Sequence, residues 1–221
     1  MKRRHDLLRV RPDGWSAVLA TSPGYHALTD GPRRLVAGWA QRGWPVIARR
    51  RAAGDNGNDL AVGLPLPPSC DKLRLAFSVP CDCVAETVDA VSLNEAAASV
   101  PPGWCAQVAS VIALGERLAL QPVLFGALLW QRLTGLPYLQ PGSDIDLVWP
   151  TPSAGILEDL LEGLEWLDTA GPARLDGEVT LAAGGGVNWR ELRRQLRSPD
   201  GAVLVKSMDG ADIRCAHSLF A

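Results

Sequence analysis

The sequence has few of the residues that build metal-sulfur or metal-histidine centres. It holds three histidines and five cysteines in 221 residues. An odd cysteine number without regular spacing gives no disulfide framework and points to reduced thiols in a cytoplasmic protein. Cys81-Asp82-Cys83 invites a zinc reading. With so few histidines and no paired CxxC spacing elsewhere, little remains to complete a tetrahedral site. No apolar run reaches the roughly 18 residues that a membrane span needs. The opening Met1-Lys2-Arg3-Arg4-His5-Asp6 is basic but lacks the apolar core of a secretory signal. An excess of one charge is also missing. The 22 Lys and Arg against 24 Asp and Glu leave a net −2, which disfavours a general nucleic-acid binder. No internal repeat or low-complexity tail is visible.

What is present is ordinary for a globular chain: 47% hydrophobic and 21% charged residues, with 17 Pro and 22 Gly to make many turns. The eight tryptophans are unusual but identify no function, and most are expected in the core. The length suits one large domain or two small ones. Short strands are expected at 45–51, 60–64 and 73–79, with a helix over 35–44 closed by Gly43. Residues 14–20 fit a strand or a helix start equally. Pro101-Pro102-Gly103 reads as a linker. Helical periodicity returns over 106–120 and is clearest over 156–167, with Ser153 as a possible N-cap. Strands are expected at 173–181 and 203–206, a turn at Gly184-Gly185-Gly186, and a short helix over 190–196. The order of elements gives an α+β chain in two parts, a small α+β domain over 1–85 and a second domain over 86–221.

The most informative stretch runs from Pro122 to Trp149. A short apolar strand, Val123-Leu124-Phe125, stops at Gly126-Ala127 and turns into a helix over 127–136. Small side chains at such a junction let backbone N–H groups and the helix dipole meet an anion such as a phosphate. Gln140-Pro141-Gly142-Ser143 then turns the chain into Asp144-Ile145-Asp146-Leu147-Val148-Trp149. Alternation along a strand places Asp144 and Asp146 on one face. An Asp-x-Asp after Pro-Gly-Ser is often only a capped turn. With the phosphate cradle upstream, the pair becomes a candidate site for divalent cations. A further carboxylate on a later strand, Asp176 or Glu178, would complete it. Glu178 is slightly favoured, because Asp176-Gly177 reads as a bulge. Two Mg²⁺ (or Mn²⁺) ions suit three carboxylates beside a phosphate site.

Phe125-Gly126-Ala127 followed by Gly142-Ser143-Asp144-Ile145-Asp146-Leu147 resembles the signature of the DNA polymerase β-type nucleotidyltransferases. More segments join them: Arg4-His5-Asp6-Leu7, Gly43-Trp44-Pro45-Val46, Thr134-Gly135-Leu136-Pro137-Tyr138-Leu139, Leu175-Asp176-Gly177-Glu178, Asn188-Trp189-Arg190-Glu191 and Val203-Leu204-Val205-Lys206. Together they resemble the phosphoribosyl-dephospho-CoA transferases (holo-acyl-carrier-protein synthases) of bacterial malonate decarboxylase, across essentially the whole chain. The resemblance implies a nucleotidyltransferase-like mixed-sheet domain over 86–221. It also implies a reaction. The donor is 2′-(5″-triphosphoribosyl)-3′-dephospho-CoA, the acceptor is a serine of the acyl carrier protein subunit, and pyrophosphate is released. The family's catalytic Asp pair falls on Asp144 and Asp146. Ala127 stands where the wider superfamily often has serine, so any contact there comes from the backbone.

On this reading Asp144, Asp146 and Glu178 or Asp176 hold the metals, while Gly126, Ala127, Ser143, Lys206 and Arg190 contact the donor. Lys206 and Arg190 fit equally well as surface charges. Arg49-Arg50-Arg51 fits a solvated strand end, or contact with an acidic carrier protein or the donor phosphates. His5 is expected to be structural or exposed, and Trp189 is a candidate for stacking on adenine. No nucleic-acid or membrane partner is expected. Two other functions fit the residues: transfer of NMP from an ordinary NTP to a small molecule or protein, and a non-catalytic nucleotide-binding module.

Overall fold

The computed structural model describes residues 3–52, 55 and 57–220. Met1, Lys2, Ala53, Gly54, Asn56 and Ala221 lie outside the described residues. The chain separates into two compact units, Met1–Ala90 and Val91–Ala221. The division falls after β5 (Val84–Val88), because that strand pairs with β1 (Leu7–Val10) and so belongs to the first unit. Pro101-Pro102-Gly103, expected as a linker, instead lies inside the second unit. It forms a single 3-10 turn, Pro102–Trp104, ahead of a long helix.

In the first unit the remaining elements are α1 (Pro12–Ala20), α2 (Pro23–His26), α3 (Asp30–Ala37), β2 (Val46–Ala48), β3 (Leu60–Pro65) and β4 (Arg74–Val79). The five strands form an antiparallel sheet in the order β4-β3-β2-β1-β5. Residues 14–20 are helical. The helix expected over 35–44 breaks after Ala37, and a short 3-10 turn ends at Gly43, whose φ of 69° closes it in the left-handed region. Two indoles anchor this layer. Trp15 and Trp39 are buried and donate from Nε1 to the carbonyls of Val36 and Pro45 at 2.8 and 2.9 Å. A buried indole needs such a partner, because an unpaired N–H would forfeit a hydrogen bond to water.

The second unit contains α4 (Leu93–Ala96), α5 (Cys105–Arg117), β6 (Val123–Leu124), α6 (Gly126–Thr134), β7 (Ile145–Trp149), α7 (Ala154–Ala170), β8 (Leu175–Thr180), β9 (Gly186–Asn188), α8 (Trp189–Gln195), β10 (Ala202–Lys206) and β11 (Ala211–Cys215). Its sheet runs β11-β10-β9-β8-β7-β6. β7 and β8 are parallel and every other pair is antiparallel, so the sheet is mixed. The fold is α+β throughout. The parallel pair needs a crossover, and α7 supplies it, burying Leu157, Leu160, Leu161, Leu164 and Leu167 on one stripe. Ser153 takes the N-cap position of α7, but its side chain accepts no hydrogen bond from the helix. At Gly163 a Cβ would overlap the methyls of Leu114, so α5 and α7 approach closely there.

Gln107 is buried and fully used. Its Nε2 donates to Leu167 O (3.1 Å) and Ala173 O (2.7 Å), and its Oε1 accepts from Ala173 N (3.0 Å). The chain entering β8 is thereby pinned to α5 and α7. No helix among the described residues is long and apolar enough to cross a membrane. The five cysteines are free thiols.

Candidate active site

β6 ends at Leu124, and Phe125 N donates to Asp146 O at 3.1 Å, which ties the start of α6 to β7. Gly126 then adopts φ 69°, a conformation that costs an L-residue about 1–2 kcal/mol. It also faces the Asp146 carboxylate so closely that any Cβ would overlap it. The glycine is therefore needed twice, for its backbone and for its missing side chain. Phe125, at the N-cap of α6, makes no side-chain hydrogen bond to the helix, and the first N–H groups of a helix, here at Gly126 and Ala127, have no partner within it. The turn before β7 is closed by Ser143, which donates from its backbone to Gln140 O and accepts at Oγ from Gln140 N, both at 2.9 Å. Ser143 thus sets the direction in which Asp144 leaves the turn.

The parallel register sets Asp146 opposite Asp176. Asp144, Asp146 and Asp176, all half-buried, each offer a carboxylate oxygen, and the three oxygens lie within 4.8 Å of one another. Among the described residues this is the group of His, Cys, Asp or Glu side chains able to hold a metal ion. Hard oxygen donors on two rigid strands suit Mg²⁺ or Mn²⁺ rather than a softer ion. Asp176 is held from behind. Its Oδ1 accepts from Gly177 N (2.8 Å) and from Asn188 Nδ2 (2.9 Å). Asn188 Oδ1 in turn accepts from Arg190 N and Glu191 N at 3.0 and 3.2 Å, capping α8.

The structure separates the two carboxylates that the sequence left open. Asp176 joins the Asp144–Asp146 pair. Glu178 is buried two residues further along β8, with Oε1 3.9 Å from Lys206 Nζ, and is outside the group. The bulge expected at Asp176-Gly177 is absent, since the β7–β8 pairing runs without a register shift from Ile145↔Leu175 to Trp149↔Val179. Gly177 is nevertheless special. Its φ is 145°, and a Cβ there would overlap Leu147 O.

Lys206 lies on β10 beside Glu178 rather than at the trio. Arg190 faces inward. Its guanidinium forks onto Asp168, through Nη1 to Oδ2 at 2.7 Å and through Nη2 to Oδ1. Nε and Nη2 also reach Leu175 O at 3.1 and 2.8 Å, and the group lies over the Trp189 ring at 4.7 Å. Asp168 Oδ1 accepts from Leu175 N at 2.8 Å. Both polar backbone groups of the residue before Asp176 are therefore satisfied by this pair. Asp168, Asn188 and Arg174, whose guanidinium stands 3.6 Å from Asp144 and 3.8 Å from Asp176, have no role in the expectations from sequence. Asn188 at least lies in a segment that carries the resemblance, and Arg174 stands two residues before Asp176, on the same face of the chain.

Two family models cover the chain. That of the phosphoribosyl-dephospho-CoA transferase MdcG N-terminal domain matches residues 3–90, and that of the C-terminal domain matches residues 91–217. The chain belongs to the phosphoribosyl-dephospho-CoA transferase family. The carboxylate trio, α6 and the Asp168–Arg190 pair all lie in the part matched by the C-terminal domain. A phosphoribosyl-dephospho-CoA transferase of Bradyrhizobium diazoefficiens is 36% identical over 93% of this chain and 87% of its own. One from Xanthomonas campestris pv. campestris is 31% identical over 100% of this chain and 97% of its own. No solved structure matches the chain significantly. Membership makes the protein a transferase that handles a dephospho-CoA-derived group.

Proposed function

We propose that the enzyme transfers the phosphoribosyl-dephospho-CoA group of 2′-(5″-triphosphoribosyl)-3′-dephospho-CoA to a serine of the acyl carrier protein subunit of malonate decarboxylase, in the cytoplasm. The bond between the serine Oγ and the α-phosphorus forms as the bond to the β-phosphate oxygen breaks, and pyrophosphate leaves. One observation supports this most: three carboxylates converge where α6 begins, at a glycine with no room for a side chain. Chemistry at a triphosphate needs positioning and charge stabilisation more than covalent help.

In this reading the first N–H groups of α6, at Gly126 and Ala127, receive phosphate oxygens through the backbone alone. Asp144, Asp146 and Asp176 are the residues that would hold Mg²⁺ or Mn²⁺. A divalent cation bound there stabilises charge on the phosphates and lowers the pKa of an attacking hydroxyl. Asn188 and Gly177 fix the orientation of the Asp176 carboxylate through Oδ1. Asp168 and Arg190 hold the backbone from which Asp176 projects, so Arg190 acts on the site from behind and not on the donor.

The test incubates the purified protein with Mg²⁺, the triphosphoribosyl donor and the apo carrier subunit, with intact-mass analysis of the carrier and a pyrophosphate assay. A carrier heavier by one phosphoribosyl-dephospho-CoA group, with one pyrophosphate released, is expected. Labelling from ATP alone would replace this reading with NMP transfer. Full pyrophosphate release by Asp146→Asn would point to a site that does not act through these carboxylates.

A further inference from the structure

Arg174 precedes β8, and its carbonyl accepts a hydrogen bond of 2.9 Å from Ile145 N. That bond is part of the Ile145↔Leu175 pairing that opens the β7–β8 ladder, and the same register carries back one residue. Arg174 thus lies across from Asp144 as Asp176 lies across from Asp146. Alternation brings all four side chains to one face of the parallel pair. The guanidinium follows that geometry, with Nη1 3.6 Å from Asp144 Oδ2 and Nη2 3.8 Å from Asp176 Oδ2. Both separations exceed hydrogen-bond length, and the Arg174 side chain is 57% exposed. A staple that fixed the cluster would be short and at least half-buried, as the Arg190–Asp168 fork is. Arg174 has the charge and reach to pair with two of the three carboxylates without locking either in place.

We infer that Arg174 is a built-in counter-cation of the Asp144–Asp146–Asp176 cluster. It offsets the repulsion among the carboxylates in the metal-free enzyme and competes with a divalent cation for the same oxygens. The inference rests on the metal-binding reading above. Three carboxylate oxygens within 4.8 Å of one another repel strongly unless a positive charge stands among them. The guanidinium fills that need at low cost, because it stays largely hydrated and gives way when a doubly charged ion arrives. An ordinary structural ion pair makes the opposite prediction: its loss would loosen the cluster and weaken metal binding.

Mn²⁺ affinity, measured by calorimetry or by the signal of free Mn²⁺ in electron paramagnetic resonance, separates the two. One unit charge acting on a divalent ion near a solvated surface is worth about five- to tenfold in affinity. Arg174→Gln is therefore expected to bind Mn²⁺ about five- to tenfold more tightly than wild type at low salt, and Arg174→Lys about as wild type does. The gap should close at about 0.5 M salt, where charges are screened within a few ångströms. In chelator, without any metal, Arg174→Gln should melt roughly 2–4 °C below wild type, because the carboxylates have lost their counter-charge. Mn²⁺ binding that Arg174→Gln leaves unchanged or weakens overturns this inference alone. An unchanged melting temperature in chelator overturns it too. If neither wild type nor variant binds Mn²⁺, the metal reading falls and takes the inference with it.

Discussion

Gly126 opens α6 directly against the carboxylate of Asp146, and a methyl group on Gly126 would occupy the space of Asp146 Oδ2. The two positions are coupled again through Phe125 N, which donates to Asp146 O at 3.1 Å. Gly126→Ala must therefore strain a left-handed residue and push the carboxylate aside. The strain costs about 1–2 kcal/mol, which a domain of this size tolerates. Displacing a group that aligns reactants by about 1 Å costs on the order of 100-fold in rate. The variant should fold, melt a few degrees lower, and lose about 100-fold or more in kcat. Circular dichroism with a turnover assay checks both parts. Activity within a few-fold of wild type would remove Asp146 from the reaction centre.

Asp176 and Glu178 lie two residues apart on one strand and should behave differently. Asp176→Asn removes a member of the trio, and a lost metal ligand costs several kcal/mol of transition-state stabilisation, on the order of 100- to 1000-fold in rate. Glu178→Gln keeps the shape of a buried side chain that sits beside Lys206. Its expected effect is about 1–2 kcal/mol of stability, with kcat within roughly threefold of wild type. A larger loss of kcat in Glu178→Gln than in Asp176→Asn would make Glu178 the third ligand.

The trio was legible in outline because its chemistry is local. Asp144 and Asp146 sit two apart where β7 begins, and the Gly126-Ala127 junction lies in the same short stretch, 18 residues upstream of Asp144. The third member was not, because Asp176 and Glu178 share the same periodicity and only the register against β7 distinguishes them. Asp168 lay hidden for a similar reason: it belongs to the last turn of α7, and its partners are 7 and 22 residues away. β11 was missed because all five of its residues are exposed, so no alternation of apolar and polar positions marks it. The helices α5 and α7 were the easiest to read, since each buries a continuous stripe.

Arg190 was read from sequence as a donor contact or a surface charge, and its geometry argues for neither. It joins Asp168 in a two-pronged pair, with side chains 30% and 17% exposed, and both bind the backbone of Leu175. Arg190→Ala and Asp168→Ala should each destabilise by about 1–3 kcal/mol. The double variant should fall short of their sum by about 1 kcal/mol or more, the coupling of two groups in contact. A positioning role lowers kcat through Asp176 and leaves KM for the donor nearly unchanged. A phosphate contact would raise KM. Chemical denaturation of the four proteins, together with kcat and KM for the donor, decides between them.

A pH-dependent contribution is expected in the first unit, at the fork between Arg49 and Asp55. The guanidinium donates to both oxygens of Asp55, at 2.8 and 2.6 Å, and Ala52 N donates to Oδ2 at 2.6 Å. The hydrogen bonds from Arg49 hold the carboxyl below its ordinary 3.8, with burial working in the other direction. A carboxyl whose folded pKa is depressed binds fewer protons folded than unfolded. Its stabilisation is present above the unfolded pKa and is lost as pH falls through the folded one. Asp55→Asn should therefore be less stable than wild type by about 1 kcal/mol at pH 7, a figure reduced for partial solvent screening. The difference should persist to about pH 5 and shrink progressively below 3.8. Urea unfolding of both proteins at several pH values measures it, and a gap that widens toward low pH would contradict the sign of the linkage.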